Sequence, residues 1–235
     1  MDKRIAIILA RGGSKRLPRK NVMNFGDKPM LAWTIEAALD SQYFDRVLVS
    51  TDSEEIAAIA RQHGAEAPFL RHTAADDITP SSEATCIALT QAEQHWNERY
   101  ELVAQLMANC PLRTANDIRA ATDSFLNKTP TAPSQISSFK FGWMNPWWAT
   151  KLQADGQPDF LFPEALKSRS QDLPALYCPT GAFWLSWRGG LLKHKTFYQP
   201  GHIFHPMDWV SAVDIDDEHD LLMARACLAL RKESP

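Results

Sequence analysis

The sequence predicts an α/β fold: a mostly parallel open sheet with helices on both faces. Ile5-Ala6-Ile7-Ile8-Leu9 is a continuous apolar run rich in β-branched residues, the pattern of a parallel strand covered on both sides. Strand-like and helix-like segments then alternate at short spacing, as βαβ units require. Cap residues stand at several of the boundaries.

The elements follow in order. Met30 to Leu39 carries helix-forming residues with apolar spacing, and Arg46 to Thr51 reads as a second strand. Asp52 or Ser53 caps a helix from Glu54 to His63, and Gly64 stands where a C-cap belongs. Glu66 to Leu70 is expected as a short third strand. Ser82 to Tyr100 is expected to be helical, and Leu102 to Met107 a further strand. Asn116 or Thr114 opens a helix to about Asn127. The stretch from Thr129 to Asp172 differs: it is rich in Pro, Trp and Phe and has no long helical period. Linkers lack so many large apolar residues, so an inserted lobe of about 135–175 is expected within one domain spanning 1–235. The core pattern returns at Gly181 to Leu185. Asp217 or Asp220 opens a last helix to about Lys232.

The bulk properties exclude several classes. Of 235 residues, 45% are hydrophobic and 23% charged, ordinary values for a chain with a real core. The net charge of −3 argues against a general nucleic-acid or membrane-surface binder. No stretch approaches the roughly 20 apolar residues that cross a bilayer. Met1-Asp2-Lys3-Arg4 and the apolar run after it faintly imitate a signal peptide. The run is too short and passes directly into Arg11-Gly12-Gly13, so a buried strand is the better reading. The four cysteines, Cys86, Cys110, Cys178 and Cys227, form no CxxC pair, and reduced thiols in a cytoplasmic protein are expected.

Two segments carry chemistry. From Leu9 to Asn21, thirteen residues hold five cationic side chains and two glycines. The loop directly follows a strand, and ligands in open α/β sheets bind outside the carboxyl ends of strands. Glycines let backbone N–H groups approach an anion, and Lys and Arg supply charge. The spacing is neither that of a P-loop nor GxGxxG. The second segment is Asp214-Ile215-Asp216-Asp217. On extended backbone, residues i and i+2 point the same way, so Asp214 and Asp216 face one site while Ile215 faces the core. Mg²⁺ is commonly held by one or two carboxylates plus substrate phosphates. Asp217 is the better candidate for a helix cap. His202 and His205, near Asp208, lack a third spaced partner, so a structural or interface role is expected for them.

The loop Ala10-Arg11-Gly12-Gly13-Ser14-Lys15-Arg16-Leu17-Pro18-Arg19-Lys20-Asn21 resembles the signature of the N-acylneuraminate (sialic acid) cytidylyltransferase family. The resemblance continues in order through Val49-Ser50-Thr51-Asp52, Pro68 to Arg71, Thr79 to Ser82, Pro111 to Thr114, Gln171 to Pro174, Pro179 to Ala182 and Asp214 to Asp216. It implies a Rossmann-like nucleotidyltransferase fold with a small inserted dimerisation lobe, and a homodimer. It also implies CTP and an acidic, sialic-acid-like (nonulosonic) sugar as substrates and Mg²⁺ as cofactor, with Mn²⁺ able to substitute. The nucleotide is expected at Arg11, Gly12, Gly13, Ser14, Lys20, Asn21, Arg71 and Ser82, with Arg71 and Ser82 near cytosine and ribose. Lys20, Arg11 and Asp216 are the expected catalytic residues, and Asp214 and Asp216 the expected metal ligands.

The sugar side departs from the family pattern. Arg169 stands one place early, and Ser170 occupies the position where the family commonly has Arg. Met107 and Asn109 replace the usual Gln and Thr of that wall. Asn109, Arg169 and Gln171 are the expected sugar contacts, with Lys167 an alternative. Trp143, Trp147 and Trp148 either line the sugar site or pack a dimer contact, the second being favoured. The rival readings are a Kdo-type cytidylyltransferase and a non-catalytic nucleotide-binding module.

Overall fold

The computed structural model describes residues 2–74, 78–128 and 132–233. In chain order the strands and helices are β1 (Arg4–Leu9), β2 (Asn24–Phe25), β3 (Lys28–Pro29), α1 (Met30–Ser41), β4 (Arg46–Ser50), α2 (Glu54–Gln62), α3 (Ser81–Trp96), β5 (Leu102–Met107), α4 (Ala115–Asn127), β6 (Ser134–Lys140), β7 (Thr150–Leu152), β8 (Pro158–Phe160), β9 (Tyr177–Trp187), α5 (Arg188–His194), β10 (Ile203–Met207) and α6 (Glu218–Glu233).

The six-stranded sheet has the order β10-β6-β9-β5-β1-β4. β1 pairs in parallel with β4 and β5, and β10 with β6; β9 runs antiparallel to both β5 and β6. The sheet is thus mostly parallel, as expected.

Period-two alternation in β1 serves two cores. Ala6, Ile8 and Ala10 pack with Leu31, Ile35, Ile56 and Phe125 of α1, α2 and α4. Ile5, Ile7 and Leu9 face the other side, against Ala88 and Leu89 of α3 and Leu191 of α5. Both faces of the strand are therefore buried, which explains its unbroken apolar run. A third cluster joins Leu17, Phe25 and Met30 to Val213, Ile215 and Leu221. It fixes the loop after β1 against the start of α6.

The boundaries show local chemistry at work. Ser53 caps α2 and Thr114 forms a capping box with Asp117 at the head of α4. Asp217 caps α6: its carboxylate accepts from the backbone N–H groups of His219 and Asp220, at 2.8 and 3.0 Å. α3 stops before the expected Tyr100 because Asn97 turns left-handed at φ 50°. Glu66 to Leu70 is not a strand. Glu66 makes one parallel bridge to Leu48, and Pro68, which has no N–H to donate, ends the pairing. β9 is longer than the expected Gly181–Leu185 because it is the strand shared between β5 and β6.

The segment expected as a lobe begins later than residue 135, since 135–140 belong to β6 in the main sheet. Beyond it lie the β7–β8 hairpin and three short 3-10 turns. Trp147 packs edge-on against Phe162 and its Nε1 donates to the Pro174 carbonyl at 2.9 Å. Trp143 is 88% exposed and Leu152 75%.

Candidate active site

The parallel strands β1, β4 and β5 end at Leu9, Ser50 and Met107, and the loops that follow them meet at one edge of the sheet. There a cleft of about 290 Å³ is lined by Arg11, Ser14, Arg16, Lys20, Asn21 and Arg71, together with Met107, Asn109 and Asp216.

The cationic loop is tied down from within. The buried Asn21 donates from Nδ2 to the Arg11 carbonyl at 2.9 Å. The Gly12 N–H donates to Asp52 Oδ1 at 2.7 Å, so this amide is turned toward a carboxylate of the chain itself. A Cβ at Gly12 would come within 3.3 Å of Ser53 Cβ, whereas one at Gly13 would meet open space. Arg19 turns left-handed at φ 57°, and the short helical turn after it carries Lys20 into the cleft.

Lys20 Nζ donates to Asp216 Oδ1 and to the Ile215 carbonyl, both at 2.8 Å, and its side chain is only 13% exposed. Arg16 Nη2 donates to Asp216 Oδ2 at 2.6 Å. Two loop cations thus converge on one carboxylate. Burial opposes the charge on Asp216, but the hydrogen bonds from Lys20 and Arg16 outweigh it and hold its pKa below the usual carboxylate value. Asp214 behaves oppositely. The residue is exposed as a whole, yet protein atoms crowd its carboxyl. Lost hydration, and then the charge of Asp216, push its pKa up to about 6.

Both aspartates point the same way, as the i, i+2 spacing requires. Asn109 Nδ2 bonds Asp214 Oδ1 and also lies 3.2 Å from Asp216 Oδ1. Ile215 between them is fully buried. Among the described residues, no group of three or more His, Cys, Asp or Glu side chains gathers to hold a metal. Two carboxylates, Asp214 and Asp216, thus meet at the Asn109 amide.

Arg71 lines the cleft but is 3% exposed and pinned: Nε donates to Ser50 Oγ at 3.0 Å and Nη1 to the carbonyls of Thr73 and Ala74. Ser82 is buried in the first turn of α3, and its neighbour Ser81 lines the cleft. Arg169 and Gln171 lie on the surface outside the cleft lining, with Arg169 forked onto Asp172 at 2.7 and 3.1 Å. His202 bonds the Gln199 carbonyl and Asp208 pairs with Arg231, both distant in role from the cleft.

Sequence reasoning gave Arg16 no role of its own and read Asp52 only as a cap candidate. The Arg16 side chain is 68% exposed, yet its guanidinium reaches Asp216. No local pattern announces a contact across 200 positions.

A family model described as cytidylyltransferase matches residues 5–170. The pseudaminic acid cytidylyltransferase of Campylobacter jejuni (strain 81-176) is 33% identical over 99% of both chains. The CMP-N,N'-diacetyllegionaminic acid synthase of Legionella pneumophila is 31% identical over 98% of both. The N-acylneuraminate cytidylyltransferase of Escherichia coli O18:K1:H7 is 34% identical over 94% of this chain and 51% of that one. The fold is shared with a CMP:2-keto-3-deoxy-manno-octonic acid synthetase solved with CTP, at a TM-score of 0.71 and 15% identity, covering 98% of this chain and 100% of that one. The chain belongs to the cytidylyltransferase family, in its N-acylneuraminate (sialic acid-type) branch.

Proposed function

We propose that this protein transfers CMP from CTP to the anomeric hydroxyl of an acidic nonulosonic sugar and releases pyrophosphate. The observation that carries the reading is the meeting of Arg11, Arg16 and Lys20 with Asp216 across one cleft at the carboxyl edge of the sheet. The sugar oxygen bonds to the α-phosphorus, the bond from that phosphorus to the bridging oxygen breaks so that this oxygen leaves with pyrophosphate, and the proton of the sugar hydroxyl passes to water. The cations of the loop face the charge that moves onto pyrophosphate, and such preorganised charge stabilises the transition state. Asp214 and Asp216 would hold Mg²⁺, with Mn²⁺ as substitute. The ion supplies positive charge to the triphosphate.

Within that class, the reading favours a sugar of the pseudaminic or legionaminic kind. Full-length similarity to the Campylobacter and Legionella proteins supports it, as does the apolar Met107 on the cleft wall. Arg169 and Gln171 lie outside the cleft, so in this proposal the sugar contacts come from the lobe of a second subunit in a homodimer, and exposed Trp143 and Leu152 pack that contact. A cytoplasmic location belongs to the same proposal. The test is incubation with CTP, Mg²⁺ and a panel of pseudaminic, legionaminic, N-acetylneuraminic and 3-deoxy-manno-octulosonic acids, followed by mass spectrometry. A CMP-linked nonulosonic acid is expected. A CMP-linked product with the octulosonic acid alone moves the protein to the rival Kdo-type reading.

A further inference from the structure

Asn109 was expected to touch the sugar. Its side chain lines the cleft and points at the acidic pair. It is 5% exposed, and its Nδ2 faces three acceptors: Asp214 Oδ1, the Ile215 carbonyl at 3.1 Å and Asp216 Oδ1 at 3.2 Å. All three are acceptors, so the amide orientation that presents NH₂ satisfies these contacts. The backbone completes the link, since Ile215 N donates to the Asn109 carbonyl at 2.9 Å.

The platform under Asn109 is stiff. Thr34 Oγ1 donates to the neighbouring Ala108 carbonyl at 3.4 Å. Arg113, 2% exposed, donates from Nη1 to the Ala182 carbonyl of β9. The loop after β5 is thus fixed to α1 on one side and to the sheet on the other.

We infer that Asn109 is a positioning residue that sets the carboxylates of Asp214 and Asp216 side by side for a divalent cation. This rests on the metal reading given above. Asn109 differs from Lys20 and Arg16 in one respect that matters. Those two also bind Asp216, but they neutralise it and compete with an entering cation. An amide orients the same oxygens and leaves their charge in place. Groups that orient metal ligands in this way typically contribute about 10–100-fold in metal affinity.

The experiment measures binding of Mn²⁺ alone, without nucleotide, by electron paramagnetic resonance. The samples are the unmodified protein, Asp216→Asn and Asn109→Ala, with Tm and the KM for sugar recorded for each. Asn109→Ala is expected to bind Mn²⁺ at least about tenfold more weakly, with the sugar KM little changed. Asn109→Ser retains one donor and should fall between; it replaces the alanine variant if that fails to fold. If Asp216→Asn loses Mn²⁺ while the Asn109 variants bind it normally, the positioning role is overturned and the metal reading stands. Normal Mn²⁺ binding with a raised sugar KM makes Asn109 a sugar contact and likewise overturns it. If the unmodified protein and Asp216→Asn bind Mn²⁺ alike, the metal reading fails and the positioning role fails with it.

Discussion

Lys20→Ala separates a catalytic charge from a nucleotide tether. In the free protein Lys20 makes two bonds of 2.8 Å, to Asp216 and to the Ile215 carbonyl, from a side chain 13% exposed. Hydrogen bonds involving a charged group contribute about 1.5–3 kcal/mol net. Asp216 is 38% exposed and keeps Arg16, so the lower end applies: roughly 1.5 kcal/mol, or about 3–6 °C in Tm. The effect on turnover should be larger. Charge moves onto pyrophosphate during the reaction, and a cation aimed there binds the transition state more tightly than the ground state. Removing one such group typically costs about 10²–10³-fold in kcat. The assay is steady-state pyrophosphate release at saturating sugar with varied CTP. Lys20→Ala should lower kcat by that factor and raise the KM for CTP by less than about tenfold. Lys15→Ala, at an exposed position, should do little. Lys20→Arg need not rescue, because a planar guanidinium is larger than the ammonium that fits between Asp216 and the Ile215 carbonyl. A change in KM alone, or an equal loss in Lys15→Ala, would refute the assignment and leave the charge to Arg11 and the cation.

Three further outcomes are expected. EDTA should abolish activity and added Mg²⁺ or Mn²⁺ restore it, and Asp216→Asn should cost about 10²-fold or more in turnover; near-normal turnover of that variant at low Mg²⁺ would leave the acidic pair a merely structural element. Asp214 has its folded pKa raised to about 6, so its contribution to the stability of the metal-free protein is complete below the unfolded pKa of about 4 and is lost as pH rises through 6. Asp214→Asn should therefore raise Tm at pH 8 by roughly 2–4 °C, about 1 kcal/mol after allowance for the water this residue reaches, and change it little at pH 4; an equal shift at both pH values would contradict the burial argument. If the proposed homodimer packs through the exposed Trp143, Trp143→Glu should halve the mass seen by sedimentation; a mass that does not change would contradict that part of the proposal.

Much of this molecule was legible in its sequence, for identifiable reasons. β1 announced itself because both its faces are buried, and α2, α4 and α6 because Ser53, Thr114 and Asp217 are true caps. The same-side placement of Asp214 and Asp216 followed from strand periodicity alone. The misses have a common cause in contacts across the sheet. Glu66 to Leu70 has strand-like composition, but Pro68 and the lack of an open partner limit it to one bridge. The role of β9 as the reversed strand depends on which neighbours it meets, which periodicity does not encode. The bonds of Asn109 to the acidic pair also have no local sign in the sequence. Only the fold brings the Asp214–Asp216 backbone, 106 positions away at Ile215, against its amide. Asp52 likewise gains its bond to Gly12 through the pairing of β1 with β4.

Pyrophosphate release measured with CTP, ATP, GTP and UTP in turn, each with and without a nonulosonic acid and Mg²⁺, tests the central claim most directly. The account predicts release with CTP far above the other three nucleotides, dependent on the sugar, and matched mole for mole by CMP-sugar. Equal release with all four nucleotides, or release from CTP that ignores the sugar, would contradict it.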